Sequence, residues 1–255
     1  MEVRADIYLL DIRAFLENEG RGLLLEEAFS RLDEERREKA RRIRQERGRA
    51  ASLGAGLLLQ YAVRRAESAG GVNAVPETEP AGGVKALGIT ESARNAGTVL
   101  TRCSVYGLLR GLDAPLSFAY RYEKSGKPYF TNYPYYFNLS HSGDYVVCAL
   151  SEREVGIDLQ EHRAVDFQRM AGRFFSSAEA DVLARAEDRE AFFFRLWARK
   201  EAYGKLTGKG LADALGKDLW SGKTEIAGKL CWQEYEALSG YSMAVCQRAL
   251  QIKGI

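Results

Sequence analysis

An acidic residue inside an otherwise apolar run is the first feature of this sequence that could do chemistry. Asp158 and Gln160 stand in the run Gly156-Ile157-Asp158-Leu159-Gln160, near the end of a predicted strand. Burying a carboxylate is costly unless a cation or hydrogen-bond donors compensate for the lost water. Asp158 could therefore bind Mg²⁺, which takes oxygen ligands and often keeps substrate phosphates as well. It could equally be a strand-end acid that caps a turn or pairs with an arginine.

A second candidate is the stretch Trp197-Ala-Arg-Lys200-Glu201-Ala-Tyr-Gly-Lys205. Trp197, Glu201 and Lys205 are four residues apart, so in a helix they lie along one face. That face could present an acid and a base beside a bound metal. The alternative is a surface ion pair, which contributes little to stability, next to a tryptophan that packs in the core.

Two further groups of residues could bind anions. Ser140 and His141 lie in a polar turn between apolar strands, and His141 could bind phosphate or simply bond to a backbone carbonyl. Residues 36–49 hold eight cations, namely Arg36, Arg37, Lys39, Arg41, Arg42, Arg44, Arg47 and Arg49. They could form an anion site or a solvated helix face. A net charge of only +2 and the lack of interleaved aromatic residues argue against a nucleic-acid-binding domain.

The elements that must position these residues are predicted from hydrophobic periodicity. The chain has 255 residues, 46% apolar and 28% charged, which is typical of one large or two small soluble domains. Strands are predicted at 6–12, 116–122, 135–139, 145–150, 155–159, 230–236 and 241–247, and helices at 30–49, 49–69, 166–174, 177–186 and 189–206. Ser176 or Ser177 could cap the helix that carries Glu179 in its first turn. Residues 70–114 are predicted to be a loop-rich insertion with one helix near 99–109.

The four cysteines form no C-x-x-C pair, and neither a secretory leader nor a stretch long enough to span a bilayer is visible. A reduced cytoplasmic protein is therefore expected. A Ser-Gly turn feeding an apolar strand occurs twice, at 142–148 and 239–246, as a weak internal repeat.

In combination and in this order, the motifs resemble one family. The chain is similar to the 4′-phosphopantetheinyl transferases of the surfactin (Sfp-like) type, the long monomeric class. The resemblance covers most of the chain except about residues 70–114, and its most specific part is G-I-D at Gly156–Asp158 followed by W-x-x-K-E-A-x-x-K at Trp197–Lys205. Further matching segments are Glu38–Arg42, Ser52–Gly56, Gly126–Pro128, Phe137–Gly143, Arg173–Ser176, Gly208–Leu211 and Gly240–Cys246.

The resemblance implies an α+β (α/β) fold of two similar subdomains related by a pseudo-twofold axis, here 1–151 and 152–255, with coenzyme A in the cleft between them. It implies Mg²⁺-dependent transfer of the phosphopantetheine arm of coenzyme A to a serine of an apo acyl, polyketide or peptidyl carrier protein, with release of 3′,5′-ADP. The carrier is expected to touch residues 165–175 and 208–211, although Phe174 and Phe175 are better explained as core. No nucleic acid or membrane partner is implied.

The resemblance also assigns roles to individual residues. Asp158 and Glu201 match the metal ligands, and Glu201 also matches the base proposed for the serine hydroxyl. Lys205 matches a lysine near the pyrophosphate, and Lys200 is expected to assist with phosphate or to orient the helix. The remaining matches are to residues that contact coenzyme A, namely Arg36, Lys39, Ser52, Lys127, Ser140 and His141.

Two positions depart from the family pattern. Many relatives have Glu where this chain has Gln160, so a third metal ligand here would be an amide oxygen or a water molecule. Ala51 stands where relatives often have arginine, and Arg49 could substitute for it. The first departure keeps a second function open, a non-catalytic module that binds coenzyme A or a carrier protein.

Overall fold

The structure of the chain is a computed structural model, and it describes residues 2–17, 20–72, 90–95, 98–221, 229–235 and 238–249. The described backbone forms two compact units. The first, called the N-terminal unit, comprises Arg4–Arg121 and Pro128–Glu152. The second, called the C-terminal unit, comprises Met1–Val3, Tyr122–Lys127 and Arg153–Ile255. Both mix helices and strands, which confirms the α+β class. The pseudo-twofold relation remains a prediction.

A five-stranded sheet forms the framework of the N-terminal unit, with the strand order β2-β3-β1-β7-β6. Its members are β1 (Ala5–Asp11), β2 (Thr90–Asn95), β3 (Thr98–Ser104), β6 (Tyr136–Ser142) and β7 (Tyr145–Ser151). β1 runs parallel to β3 and antiparallel to β7. A short sheet pairs β4 (Tyr120–Tyr122) with β5 (Pro128–Phe130). The strand predicted over 116–122 is therefore shorter than its alternation suggests.

The helices of this unit are α1 (Arg21–Ser30), α2 (Glu34–Arg42), α3 (Glu46–Ala69) and α4 (Val105–Gly111), with a 3₁₀ turn at Arg13–Phe15. The helix predicted over 30–49 is divided, because Ile43 and Gln45 take extended backbone angles between α2 and α3. α2 buries only Arg36 and Ala40. α3 instead buries most of its apolar residues against the sheet. The break lets a charged helix and an apolar helix face different surroundings.

The described part of residues 70–114 forms two strands and a helix, so its predicted loop-rich character is wrong there, while its being an insertion stays a prediction. β3 takes up Val99 and Leu100, which had been predicted as helix, and pairs with the whole of β1. Val99, Leu100 and Cys103 are buried, so this segment belongs to the core. Of the helix predicted near 99–109, only the residues from Val105 onward are helical, in α4. Ser104 caps this helix by accepting from the backbone N–H of Gly107 at 3.0 Å. Residues 73–89 lie outside the described residues.

A three-stranded sheet with the order β8-β10-β9 forms the framework of the C-terminal unit. The strands are β8 (Val155–Glu161), β9 (Leu230–Tyr235) and β10 (Tyr241–Arg248). The helices are α5 (Phe167–Phe174), α6 (Ser177–Arg185) and α7 (Arg189–Thr207), followed by a 3₁₀ turn at Leu211–Ala214. These elements match the predicted ones closely; Glu236 lies outside the described residues. α7 packs on β8 and β10. In the part of the chain that is described, no helix is long and apolar enough to cross a membrane.

Candidate active site

Strand β8 places its two polar site residues on one face. Side chains alternate along a strand, so Asp158 and Gln160 share a face with Gly156, while Ile157 and Leu159 point the other way. The antiparallel pairing of Asp158 with Ala244 and of Gln160 with Ser242 fixes this register. A slip of one residue would turn both polar side chains to the opposite face.

Gly156 allows α7 to lie directly against this face of β8. A Cβ atom at Gly156 would come within 2.0 Å of the carbonyl oxygen of Ala202 and 2.7 Å of the backbone nitrogen of Leu206. Real Cβ contacts are never that short, so any other residue would push helix and strand apart. The backbones meet between Ala202 and Leu206, beside Glu201 and Lys205. The G of the G-I-D motif therefore sets the distance across which the acid of β8 reaches the charged residues of α7.

Asp158 lies at the centre of the polar contacts. It is 2% exposed. Its Oδ1 lies 2.7 Å from Nζ of Lys205, and its Oδ2 accepts from Nε2 of Gln160 at 2.6 Å. The contact with Lys205 is an ion pair that links the strand β8 to the helix α7.

Glu201 adds a second carboxylate to this group. Its side chain is half-buried on α7. Its pKa is raised, first by burial and then by the negative charge of Asp158, and Lys205 partly offsets the shift. Two partly desolvated carboxylates beside one ammonium form a place where additional positive charge is favourable. The structure therefore brings together Asp158, Gln160, Glu201 and Lys205, and their role as one site stays a prediction.

The oxygen atoms of three side chains, two carboxylates and one amide, are available to a hard cation at this site. Asp158 and Glu201 supply carboxylate oxygens, which Mg²⁺ prefers. Within the described residues, no group of three His, Cys, Asp or Glu side chains could hold a metal. The third protein ligand would be Oε1 of Gln160, since Nε2 of that amide contacts Asp158. Mg²⁺ commonly keeps water or substrate phosphate in its remaining positions, so two carboxylates and an amide are a sufficient protein contribution.

Lys200 does not fit the coenzyme-binding role predicted for it. Its side chain is completely buried, and Nζ lies 2.8 Å from Oε2 of Glu179. The ammonium also donates to the carbonyl oxygens of Ala214 and Lys217, at 3.1 and 2.8 Å. Three partners use all three donors of a lysine, so none is left for a phosphate. The other expectation, that Lys200 orients its helix, agrees with these contacts.

Lys127 lies at the C-terminal end of α7. Its Nζ donates to the carbonyl oxygen of Leu206 at 2.8 Å. The last carbonyls of a helix lack intrahelical partners and carry a partial negative charge, so a lysine is well placed there. Burial lowers the pKa of Lys127. This contact uses one of its donors, and the predicted role in binding coenzyme A stays a prediction.

Arg36 and Lys39 form a positively charged group on α2 in the N-terminal unit. Arg36 is buried, and its guanidinium lies 5.6 Å from the ring centroid of Tyr120. The hydroxyl of Tyr120 donates to Oδ2 of Asp33 at 3.3 Å, and Asp33 caps α2 by accepting from the backbone N–H of Arg36. The pKa of Lys39 is lowered by desolvation and then by the charge of Arg36. Two cations that disfavour each other form a place where an anion is favourable.

Ser52 and Arg49 lie three residues apart on one face of α3. Among the described residues, Oγ of Ser52 and Nε of Arg49 are buried without a hydrogen-bond partner. Buried polar atoms are nearly always paired, so both atoms are available to a ligand or a water molecule. The predicted roles of both residues stay predictions. Other cations of the basic stretch are engaged locally: Arg37 contacts Glu34 and Arg42 contacts Glu38.

Ser140 and His141 lie on β6 rather than in a turn. Ser140 is buried and pairs with Val147 of β7, and His141 is exposed. The turn itself is formed by Gly143 and Asp144. Ser140 and His141 belong to the N-terminal unit. Their predicted contacts with coenzyme A stay predictions.

The aromatic side chains of the expected carrier-binding segment pack mainly into the core. Phe175 is buried, and the ring of Phe174 lies 5.2 Å from that of Trp197. Trp197 also stacks on Phe193 at 5.7 Å. Trp197 is therefore a packing residue, which is the simpler of the two interpretations of its position.

The sequence analysis missed Glu179 and Asp33 as partners of site residues. Glu179 had been identified only as part of a helix start. Ser176 does cap α6, and Glu179 completes a capping box by accepting from the backbone N–H of Ser176 at 2.8 Å. The pattern S-x-x-E indicates this box. No local pattern indicates that the same carboxylate meets Lys200.

Comparison with known proteins shows which family the chain is similar to. Residues 154–246 match the family model of the 4′-phosphopantetheinyl transferase superfamily. The 4′-phosphopantetheinyl transferase psf-1 of Bacillus pumilus is 41% identical over 140 residues, which is 49% of this chain and 59% of that protein. Sfp of Bacillus subtilis (strain 168) is 36% identical over 138 residues, 49% of this chain and 60% of Sfp. HetI of Nostoc sp. (strain PCC 7120 / SAG 25.82 / UTEX 2576) is 38% identical over 117 residues, 43% of this chain and 49% of HetI. The aligned part spans less than two thirds of each relative.

Proposed function

We infer that this chain, whose residues 154–246 match the family model of the 4′-phosphopantetheinyl transferase superfamily, is itself a transferase that moves the phosphopantetheine arm of coenzyme A to a serine of a carrier protein. The observation that carries the proposal is the group formed by Asp158, Glu201 and Lys205. A buried acid on a strand, a second acid and a lysine meet at the two motifs that are typical of the family. A non-catalytic module would have no need of this group.

The proposed reaction breaks one phosphoanhydride bond and forms one phosphoester. The serine oxygen of the carrier attacks the phosphorus that bears the pantetheine arm, and the bond from that phosphorus to the oxygen of 3′,5′-ADP breaks. The serine proton passes to Glu201, directly or through water, and the negative charge leaves with 3′,5′-ADP. Glu201 would accept this proton through a carboxylate oxygen that the metal does not occupy.

Lys205 would stabilise or protonate the leaving group, because its ammonium is held beside Asp158. Mg²⁺ bound by Asp158, Glu201 and the amide oxygen of Gln160 would neutralise charge on the pyrophosphate. Asp158, which is almost fully enclosed, would act by holding this positive charge in place. Its low exposure strengthens these electrostatic interactions relative to those in water.

Arg36, Lys39 and Ser52 are proposed to bind the 3′-phosphate of coenzyme A, supported by the closeness of the two cations and by the unpaired hydroxyl. Arg49 is proposed to join them, for its Nε is likewise without a partner among the described residues. A dianionic phosphate matches several charged and polar donors of this kind. Ser140, His141 and Lys127 are proposed to contact other parts of the coenzyme. The carrier is proposed to be an apo acyl, polyketide or peptidyl carrier protein.

The test is intact mass spectrometry of an apo carrier protein after incubation with this chain, coenzyme A and Mg²⁺. The expected result is a mass gain of one phosphopantetheine, which disappears when EDTA is present. No gain on several carriers, with coenzyme A still bound, would overturn the proposed transfer and favour a binding module. A gain that survives EDTA would overturn the metal requirement alone.

A further inference from the structure

The buried ion pair of Lys200 and Glu179 takes no part in the proposed chemistry. The two side chains are 0% and 1% exposed, and Nζ of Lys200 lies 2.8 Å from Oε2 of Glu179. In the pair of Lys205 and Asp158, by contrast, the lysine side chain is 28% exposed. An ion pair withdrawn from water loses hydration on both sides, so it is retained only where its geometry is well satisfied.

Every group of this pair is satisfied by three separate segments. Lys200 donates to the carbonyls of Ala214 and Lys217 in the segment that follows α7. Glu179 accepts from the backbone N–H of Ser176 at the start of α6. Its other oxygen accepts from the backbone N–H of Leu219 at 3.0 Å. The pair thus ties α7 to the first turn of α6 and to residues 214–219.

These contacts hold α7 on the side opposite its sheet. Ala198 and Ala202 pack with Ala244 and Cys246 of β10. At 3.6 residues per turn, Lys200 lies roughly 160° around the helix from both alanines. The sheet therefore fixes how far α7 stands from β8, while Lys200 fixes a point on the far side. Two anchors on opposite sides determine the rotation of a helix about its own axis.

We propose that the Lys200–Glu179 pair positions α7 about its axis and thereby aims Glu201 and Lys205 at Asp158. The inference rests on the proposed function. With side chains extending roughly 5–6 Å from the axis, a rotation of about 20° would move the Glu201 carboxylate by on the order of 2 Å. Misplacement of a catalytic group by about 1 Å can cost around 100-fold in rate. Lys200 and Glu179 are positioning residues, since neither reaches the reacting atoms.

A positioning role and a merely structural role predict different outcomes for the double variant K200M/E179Q. Replacing both charges leaves no unpaired charge in the core, whereas removing one member alone is strongly destabilising. A structural role therefore predicts unchanged turnover. The positioning role predicts a folded protein with at least about tenfold lower kcat and with a KM for coenzyme A within about twofold of wild type.

The experiment measures kcat and KM by intact mass of the carrier, well below the unfolding temperature of each variant. The control is Leu108→Ala, a truncation in α4 within a hydrophobic cluster that includes no residue of α7, and it lowers stability. Its kcat is expected to stay close to that of the wild type. Ser176→Ala is a milder variant, which removes the hydroxyl 3.1 Å from Oε2 of Glu179 without removing a charge. It is expected to lower kcat about threefold with an unchanged KM.

Three results with K200M/E179Q would overturn the inference: an unchanged kcat, a loss of kcat that Leu108→Ala shows equally, or a rise in KM that accounts for the whole effect. If the double variant fails to fold, an unchanged kcat in Ser176→Ala would overturn it instead. A rise in KM alone would restore Lys200 as a coenzyme-binding residue. Failure of the proposed function is recognised separately, because then the wild type itself transfers nothing to any carrier.

Discussion

At the scale of single residues, Asp158 combines near-complete burial with two direct polar partners, Lys205 and Gln160. Such a carboxylate matters for its charge, because a neutral side chain of equal size could still fill the space. We expect Asp158→Asn to lower the rate of transfer at least about 100-fold, the size of effect seen when one electrostatic contact to a developing charge is removed. Intact mass of the carrier over time measures this rate.

The control for this variant is Glu154→Gln, which neutralises an exposed acid just before β8. It should leave the rate of transfer unchanged, because an exposed ion pair contributes little. If Asp158→Asn keeps near-normal turnover, Asp158 has no part in the site. If both variants lose activity equally, the loss comes from general electrostatics of the sheet.

Gln160 is the residue at which this chain differs from many relatives. Gln160→Glu replaces the amide that contacts Asp158 with a third carboxylate, so repulsion between the acids is relieved by a bound cation. We expect half-maximal activity at a lower Mg²⁺ concentration, by about tenfold. The same exchange at Gln233, on β9 of the same sheet, is the control and should leave the Mg²⁺ titration unchanged. An unchanged titration in Gln160→Glu would show that this position does not bind the metal.

At the scale of elements, the close approach of α7 to β8 decides whether the site residues meet. Gly156→Ala would place a methyl group 2.0 Å from the carbonyl oxygen of Ala202, which forces helix and strand apart. Overpacking of this kind destabilises a protein by about 1–3 kcal/mol or more. We expect a loss of this size in the free energy of unfolding, measured in urea, together with a loss of transfer activity.

Gly22 on α1 offers a matched control for Gly156. A Cβ there would meet no atom within 4 Å. Alanine is the better helix former, so Gly22→Ala should raise the free energy of unfolding by up to about 1 kcal/mol and leave transfer unchanged. Equal behaviour of the two variants would show that the contact between Gly156 and Ala202 does not determine the spacing.

At the scale of the whole molecule, binding of coenzyme A should stabilise the folded chain. A ligand at about 100 times its Kd adds about 2.7 kcal/mol to the free energy of unfolding. For a chain of this size that corresponds to a rise in Tm of about 5–10 °C. Differential scanning fluorimetry with coenzyme A and Mg²⁺ measures the shift.

Two controls separate the contribution of the 3′-phosphate to this rise in Tm from the contribution of Mg²⁺. Dephospho-coenzyme A lacks the 3′-phosphate that Arg36, Lys39 and Ser52 are proposed to bind, so it should give a smaller rise in Tm. Asp158→Asn should lose only the part of the rise that depends on Mg²⁺. Equal shifts with both coenzymes would contradict the assignment of Arg36, Lys39 and Ser52.

The sequence by itself determined the candidate residues of the site and most of the elements that carry them. Pattern and spacing alone left Asp158, Glu201 and Lys205 open to a purely structural role, and the resemblance of G-I-D and W-x-x-K-E-A-x-x-K to a known family singled them out as candidates. The predicted strands and helices of the C-terminal unit agree with the observed ones because periodicity and capping are local properties. Ser176 as the cap of α6 is such a local signal.

Only the tertiary structure decided which residues are partners across the chain. The strand at Thr98–Ser104 was predicted partly as helix because a short apolar segment has no distinct period, and its pairing with β1 overrides local preference. For Lys200, the resemblance leaves two roles open, assistance with phosphate or orientation of the helix, and the sequence does not decide between them. The burial of Lys200 against Glu179 follows from the packing of α6, α7 and residues 214–219. Contacts between residues so far apart in the chain depend on how the elements pack, and no local pattern specifies that packing.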